Sequence, residues 1–395
     1  MVDEFFSQIR DSKLRYRDLL SKKGRHKCFM TSCKNNAIAS HSISRGLLEK
    51  IAENGHIVSA TFDICNIGSN IKELDNPNGP NLAIKEIGIN KAGVFKGFCQ
   101  NHDNEVFNTL DNFGISTQRD IFLQLYRTVC KYKFLNDMLT KSEKDVFGYE
   151  YYSNTEFEKS LDVSLEYIMI FLEDMLIDFP ELALKVNIGF DEVLTIKPWN
   201  KKFESKFIIG YKKLKPDFNF ALENDLTLHF EQKYHHCIVI LIPGSNYSSL
   251  MSLSHPDILP QLNSHWSTDI DLLNFFESIL IQDAQFYLPP SVQKKWTSEK
   301  LKVITDDYFF INERKFLQEY DVSIFDDLRK KISNNCPEDI KQHEFEKIST
   351  LPYREPFIER YRRMTPALIK VRQDKIRKLG FTPNGCYPIG SLIIK

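Results

Sequence analysis

The hydrophobic positions of the chain change their spacing near residue 180. Before it, apolar residues recur at helical spacing, whereas after it they gather in short runs typical of strands. The helical part predicts five helices, over residues 1–27, 45–54, from about 101, 117–139 and 155–176. Gly55 stands where the C-terminal cap of the second helix is expected, and the last two helices are expected to form an antiparallel pair.

The second half predicts a small, mostly antiparallel sheet. Its β-rich runs are separated by polar or turn segments and cover residues 186–188, 207–211, 226–230 and 237–242. Helices are predicted after them, over 269–281 and 291–296. In the first half, the Asn-, Gly- and Pro-rich residues 66–93 predict a loop or hairpin insertion, and residues 94–98 a strand. The fold class expected is α+β, divided into a module over 1–115, a helical hairpin over 116–180 and an α+β domain over 181–395.

Charge is unevenly spread along the 395 residues, although the net charge is only −1. Residues 1–50 carry +6 and residues 351–395 carry +7, which leaves −14 for the segment between them. Basic ends on an acidic middle predict a partner with phosphates, so nucleic acid is the partner expected at the termini. Solvated helix faces explain the same charges equally well. A protein partner or an oligomer is left open.

The apolar runs and the cysteines indicate the cellular compartment in which the protein is expected. The run Cys237–Ile242 is far shorter than the roughly 20 residues of a membrane span, so no membrane association is expected. The N-terminus lacks the basic-then-apolar order of a secretion signal. The eight cysteines are sparse, unlike those of a disulfide scaffold, so we expect a cytoplasmic protein in which close cysteines bind metal.

Two pairs of metal-ligating residues stand out in the N-terminal part. Cys28 and Cys33 form one pair, and Cys99 and His102 form another where a strand gives way to a helix. Zinc prefers four sulfur or imidazole ligands in a tetrahedron, and a knuckle followed by a helix-borne pair is a treble-clef arrangement. A structural zinc site is predicted from these four residues. The alternative is that the cysteines are small buried hydrophobes and His102 caps a helix.

The order of these residues, with His41 and the step from Ile43 to Arg45 between the pairs, resembles the HNH (ββα-metal) nucleases over about residues 26–110. The resemblance implies that His41 is the general base that activates water against a phosphodiester. It places Asp103 as a ligand of a catalytic divalent ion, Mg²⁺ or Mn²⁺. Arg45, one helical turn from His41, is expected to hold a flanking phosphate. The function implied is hydrolysis of DNA or RNA, as in bacterial anti-phage defence.

The chain departs from the family pattern at three positions. Ser40 stands before the base, where the family usually has Asp or His, and Asp103 stands where it usually has His. Val94 lies where the middle Asn is expected, five residues before Cys99. The alternative function is therefore a non-catalytic, zinc-stabilised protein that binds nucleic acid or protein.

The remaining polar motifs do not predict a functional site. His56 is interpreted as a surface residue, and His235 and His236 point to opposite faces of a strand, so one ion cannot easily take both. The segment 243–246 lacks the Lys and the Gly spacing of a phosphate-binding loop. The acidic pairs 306–307 and 326–327 are interpreted as solvated.

Overall fold

The protein is described here by a computed structural model. It describes residues 2–21, 26–62, 82–147, 163–178, 193–196, 207–215, 217–230, 233–282, 284–310, 313–315, 317–360, 363 and 391–393. The predicted strand over 186–188, the start of the helix predicted over 155–176 and most of the basic tail lie outside these residues. Within them the fold is α+β with antiparallel sheets, as predicted. None of the described helices is both long and apolar enough to cross a membrane.

The N-terminal half is built from one long helix, two short strand pairs and a helical pair. In chain order its elements are α1 (Val2–Ser21), β1 (Ala39–His41), α2 (Arg45–Leu48), β2 (His56–Phe62), β3 (Leu82–Gly88), β4 (Val94–Lys96), α3 (Gln100–Val106), α4 (Asn108–Phe113), α5 (Gln118–Phe147) and α6 (Leu165–Asp178). Strands β1 and β4 pair antiparallel, and β2 and β3 form a second antiparallel pair between them. Strand β3 falls within the loop or hairpin insertion predicted over 66–93, whereas β2 precedes it. The hairpin returns the chain to β1 before α3 begins.

The second half is a seven-stranded sheet with helices against it. Its elements are β5 (Val193–Ile196), β6 (Ile208–Leu214), β7 (Ala221–Phe230), β8 (Lys233–Ile242), β9 (Ser248–Ser254), α7 (Leu259–Ser264), α8 (Asp269–Leu280), β10 (Gln285–Tyr287), α9 (Pro290–Gln293), α10 (Ser298–Phe309), α11 (Asp326–Ser333), α12 (Glu338–Ser349) and β11 (Ser391–Ile393). The strand order is β10-β7-β8-β9-β6-β5, and β11 joins β7 in parallel. Strand β8 is apolar throughout its second half because both of its faces are buried.

Helix α5 connects the two halves. The predicted antiparallel pairing with α6 is confirmed: Arg119 donates to the carbonyl of Leu176 at 2.8 Å, while the Tyr126 hydroxyl donates to Glu173 at 3.0 Å. Farther along, Lys131 forms a buried ion pair with Glu223 of β7. One apolar core joins this helix to the N-terminal module and to one face of the sheet, and a second core fills the other face.

The predicted helix over 45–54 is wrong in length, and Gly55 is not its cap. Helix α2 ends at Leu48. Asn54 and Gly55 have φ angles of 52° and 74°, and Glu53 and His56 exchange both backbone hydrogen bonds across them. Two central residues with positive φ make this a type I′ turn, for which Asn-Gly is the preferred sequence. The sequence Asn54-Gly55 is therefore a hairpin turn that follows an apolar helical stripe, and it is not a helix cap.

The acidic pairs predicted to be solvated are in ion pairs. Asp307 is buried, and it accepts hydrogen bonds from Arg354, Arg360 and the Tyr320 hydroxyl. The other three carboxylates meet lysines: Asp306 with Lys302, Asp326 with Lys300, and Asp327 with Lys295. Two arginines of the basic C-terminal segment are therefore engaged inside the molecule, because they neutralise a buried carboxylate.

Gly93, at the turn into β4, is expected to tolerate no side chain. Its φ is +60°, and a Cβ would lie 2.5 Å from Ser42 Oγ and 2.8 Å from the Tyr287 hydroxyl. We expect Gly93→Ala to lower the free energy of unfolding by about 2–4 kcal/mol. Gly88→Ala is the matched control, because a Cβ there meets nothing within 4 Å. Equal urea midpoints for the two variants would contradict the packing described for this turn.

Candidate metal centre

The first two cysteines lie on a tight backbone knuckle. The Cys28 amide donates to the carbonyl of Asn35 at 3.0 Å, and the Cys33 amide donates to the carbonyl of Met30 at 3.1 Å. Ser32 takes a positive φ of 66° between them. These bonds fold the chain back on itself, so the two thiols approach the same point although five positions separate them in sequence.

The knuckle is anchored to the helical pair and to the strand that leads into α3. The Thr31 amide donates to the buried carboxylate of Glu173 at 2.6 Å. The Phe29 amide donates to the carbonyl of Gly97 at 2.9 Å. Cys99 follows this strand directly and precedes α3. Between the two predicted ligand pairs, β2 and β3 run out and back as an antiparallel pair, and β4 then pairs with β1. The second ligand pair is thereby brought back to the first.

The four predicted donors come together in one cluster. The Sγ of Cys28 and of Cys99 lie 3.2 and 3.5 Å from His102 Nδ1. The Sγ atoms of Cys33 and Cys99 are 3.9 Å apart, and all four donor atoms lie within 4.8 Å of one another. Ligands at the usual distances from a tetrahedral zinc are separated by about 3.5–3.8 Å. The cluster can hold zinc, and the six cysteines among the described residues are free thiols.

The surroundings act on the Cys28 and Cys99 thiols in opposite directions. Burial raises the pKa of Cys28 to about 12. Burial also opposes ionisation of Cys99, but the His102 backbone and the side chains of Cys33 and Asn35 outweigh it and lower the pKa of that thiol. A bound cation is what allows all three sulfurs to be thiolates together, and its binding is expected to release protons.

His41 and Asp103 form a second polar group beside this cluster. His41 ends β1, opposite Val94 of β4, and Asp103 follows the ligand His102 in α3. His41 Nε2 and Asp103 Oδ1 are both buried, and neither has a hydrogen-bond partner among the described residues. Buried polar atoms without a partner are uncommon and cost about 1–3 kcal/mol each. Their place beside the four-donor cluster makes these two atoms candidates for contact with a ligand.

The ionisation of the two side chains is perturbed in opposite directions. Burial, helped by the charge of Arg127, lowers the pKa of His41, so this imidazole is neutral at pH 7. Burial raises the pKa of Asp103, while Arg127 and a hydrogen bond from Ser40 act against the rise. His41 and Asp103 also favour each other's charged form. A neutral imidazole can accept a proton from a bound molecule.

Arg127 is a member of this group that the sequence pattern did not reveal. Its guanidinium is buried, binds Asp111 through two hydrogen bonds of 2.6 and 3.0 Å, and lies 4.0 Å from the centre of the Phe107 ring. The one sequence feature that could have indicated Arg127 is its position, since it lies within the apolar stripe of α5. Arg45, by contrast, is exposed at the start of α2 and pairs with Glu49 at 2.9 Å.

The remaining histidine candidates do not form a metal site with one another. His56 is exposed, and its Nδ1 lies 2.9 Å from the carbonyl of Asn54. His236 is buried against Asp225 at 2.8 Å, whereas the His235 ring packs edge-on against the His255 ring at 4.9 Å. The neighbouring histidines of β8 thus take different partners.

Comparisons with known proteins assign no family to the chain. No family model matches it, and neither a curated protein nor a solved structure is similar to it.

Proposed function

We propose that the protein is a metal-dependent nuclease of the HNH type, with a structural zinc in a treble-clef module. The observation that carries the proposal is the pair of buried, unpartnered atoms, His41 Nε2 and Asp103 Oδ1, beside the zinc cluster. Support also comes from the order of the elements, because an antiparallel strand pair, with His41 on its first strand, leads directly into the helix that bears His102 and Asp103. The substrate proposed is DNA or RNA, and a role in anti-phage defence would follow from such cutting.

His41 is the general base in this proposal. Because burial and Arg127 lower its pKa, the imidazole is unprotonated at neutral pH and is able to accept the proton of an attacking water. Arg45 lies at the start of α2, four positions after His41, and its guanidinium is exposed. In this proposal it exchanges its pair with Glu49 for a flanking phosphate.

Asp103 would hold the divalent ion. Mg²⁺ and Mn²⁺ prefer oxygen ligands, and the unpaired Oδ1 of Asp103 is a donor of this kind, so the side chain fits the ion. When bound, such an ion stabilises negative charge on the scissile phosphate and on the leaving oxygen. Ser40, which hydrogen-bonds to Asp103, orients the carboxylate and favours its ionised form.

A non-catalytic, zinc-stabilised binding protein is the second candidate, and Arg127 favours it. Its buried guanidinium lies close enough to lower the pKa of Asp103 and so supplies positive charge where the divalent ion would act. Val94, opposite His41, offers no polar group to help orient a phosphate. In this alternative the zinc cluster stabilises a surface that binds without cutting.

Plasmid nicking separates the two candidates. We expect the protein to nick supercoiled plasmid with Mg²⁺ or Mn²⁺, and His41→Ala to be slower by about 100-fold or more, because a general base contributes on this scale. His56→Ala is the matched control, since His56 is exposed on β2 and outside the site. Equal nicking by both variants, or none by the unmodified protein on DNA and RNA, would remove the nuclease assignment.

A further inference from the structure

A cavity of about 310 Å³ lies between the N-terminal module and the sheet. Its walls come from the residues after α2, from the end of α4 and from the loop between β8 and β9. The lining includes Lys50, Asn112, Phe113, Asn246 and Tyr247. The volume is at the lower end of the range for small-molecule sites, and an aromatic wall with a few polar groups is typical of them.

Phe113 is exposed to an unusual degree for a phenylalanine. Its side chain is 75% exposed at the end of α4, although most of the other phenylalanines in the described part of the chain are buried. An exposed ring at the rim of a cavity presents a flat apolar face that a planar ligand can cover. Tyr247, on the facing loop, is held in place because its hydroxyl donates to the carbonyl of Ile115 at 2.5 Å.

The cavity also carries positive charge. Lys50 lines it, and no ion pair joins this lysine to any of the described residues. Partial burial lowers the pKa of Lys50, so an anion beside it would relieve an unfavourable environment. Lys213 lies 3.8 Å from the centre of the Tyr247 ring and adds a second cation behind that wall.

The cavity adjoins the His41 and Asp103 group through Asp111. The carboxylate of Asp111 binds Arg127, whose charge acts on both His41 and Asp103. The next residues in α4, Asn112 and Phe113, line the cavity. Helix α4 therefore supplies the carboxylate that pairs with Arg127 and, at the next two positions, two residues of the cavity wall.

We propose that this cavity binds a nucleotide of a single-stranded polynucleotide beside the phosphate that is cut. Its base stacks on Phe113, the edge of the base meets the amide of Asn246, and Lys50 contacts a phosphate. Single strands are the substrate class because a stacked duplex offers no free base face to a side chain. The proposal rests on the proposed nuclease function for the identity of the substrate.

Binding is measured in the His41→Ala background without added Mg²⁺ or Mn²⁺, so that the probe stays intact. The probes are fluorescein-labelled 12-mers of one sequence, as single-stranded DNA, single-stranded RNA and duplex DNA, followed by fluorescence anisotropy. We expect at least one of the two single-stranded probes to bind more tightly than the duplex DNA probe. Phe113→Ala should weaken single-strand binding by about tenfold or more, and Phe113→Trp should keep it, because every base can stack on an indole.

Two further variants complete the test. Lys50→Gln should reduce the slope of log affinity against log salt by about 0.7, the value for one phosphate contact to a single strand. Tyr353→Ala is the matched control, because this side chain is 82% exposed and does not line the cavity. We expect it to bind as the parent does.

The outcomes separate this proposal from the nuclease assignment. Loss of binding in Phe113→Ala from a protein that nicks no substrate would support the cavity and refute the nuclease. Unchanged binding in Phe113→Ala, a preference for duplex, or no binding of any probe would overturn the cavity proposal, whether or not the protein nicks plasmid.

Discussion

Cys33→Ser is expected to abolish zinc binding and to lower the free energy of unfolding by about 5 kcal/mol or more. A structural zinc contributes about 10–16 kcal/mol to the folding of isolated zinc-finger peptides. Here part of the module stays in place without the ion, because Ile43, Leu47 and Phe98 belong to the core shared with α5, so a smaller loss is expected. Urea denaturation with zinc analysis of the same samples measures both effects.

Cys336→Ser is the matched control for this substitution. Cys336 is a free, partly buried thiol whose Sγ lies 3.7 Å from the carbonyl of Ile332, away from the cluster. We expect a loss of about 1 kcal/mol or less and full zinc content. If Cys33→Ser kept its zinc and matched this control in stability, Cys33 would not be a ligand.

Arg329→Met is expected to destabilise the protein by about 3–5 kcal/mol. The guanidinium is fully buried, donates to Glu277 at 2.5 Å and also pairs with Glu344. Glu277 accepts the backbone amides of Ile324 and Phe325 at 2.8 and 3.1 Å, so its carboxylate cannot move away. Removal of the guanidinium leaves buried Glu344 without its arginine and leaves Glu277 with Lys347, at 3.9 Å, as its cationic neighbour. That cost exceeds the apolar gain from methionine.

Lys331→Met gives the comparison for an exposed pair. Lys331 contacts Asp217 at 2.5 Å, but its side chain is 64% exposed, and such pairs contribute about 0–1 kcal/mol. Urea denaturation of both variants at pH 7 measures the difference. A loss below about 1 kcal/mol for Arg329→Met would show that the buried ion pairs of Arg329 contribute no more than an exposed pair.

The four-donor cluster could be predicted from sequence because each half of it is local. Cys28 with Cys33, and Cys99 with His102, are short-range pairs whose chemistry is recognisable without knowledge of the fold. The 65 residues between the two pairs do not keep them apart in space. Strands β2 and β3 of that segment form a hairpin whose two ends lie close together. The long amphipathic helices and the antiparallel sheet were predictable for the same reason, since their spacing is local.

Long-range polar partnerships were not predictable. Asp307 was expected in solvent because no partner stands near it in the sequence, but its arginines follow 47 and 53 residues later. Lys131 and Glu223, 92 residues apart, form a buried pair that no short pattern indicates. Arg127 was missed at the candidate site because only the tertiary packing of α5 brings it near Asp103.

X-ray absorption at the zinc edge on the purified protein, with metal analysis by mass spectrometry, reports both the metal content and the ligand atoms. We expect about one zinc per chain, with three sulfur neighbours at about 2.3 Å and one nitrogen at about 2.0 Å. A protein without zinc, or zinc surrounded only by oxygen and nitrogen, would contradict the cluster formed by Cys28, Cys33, Cys99 and His102.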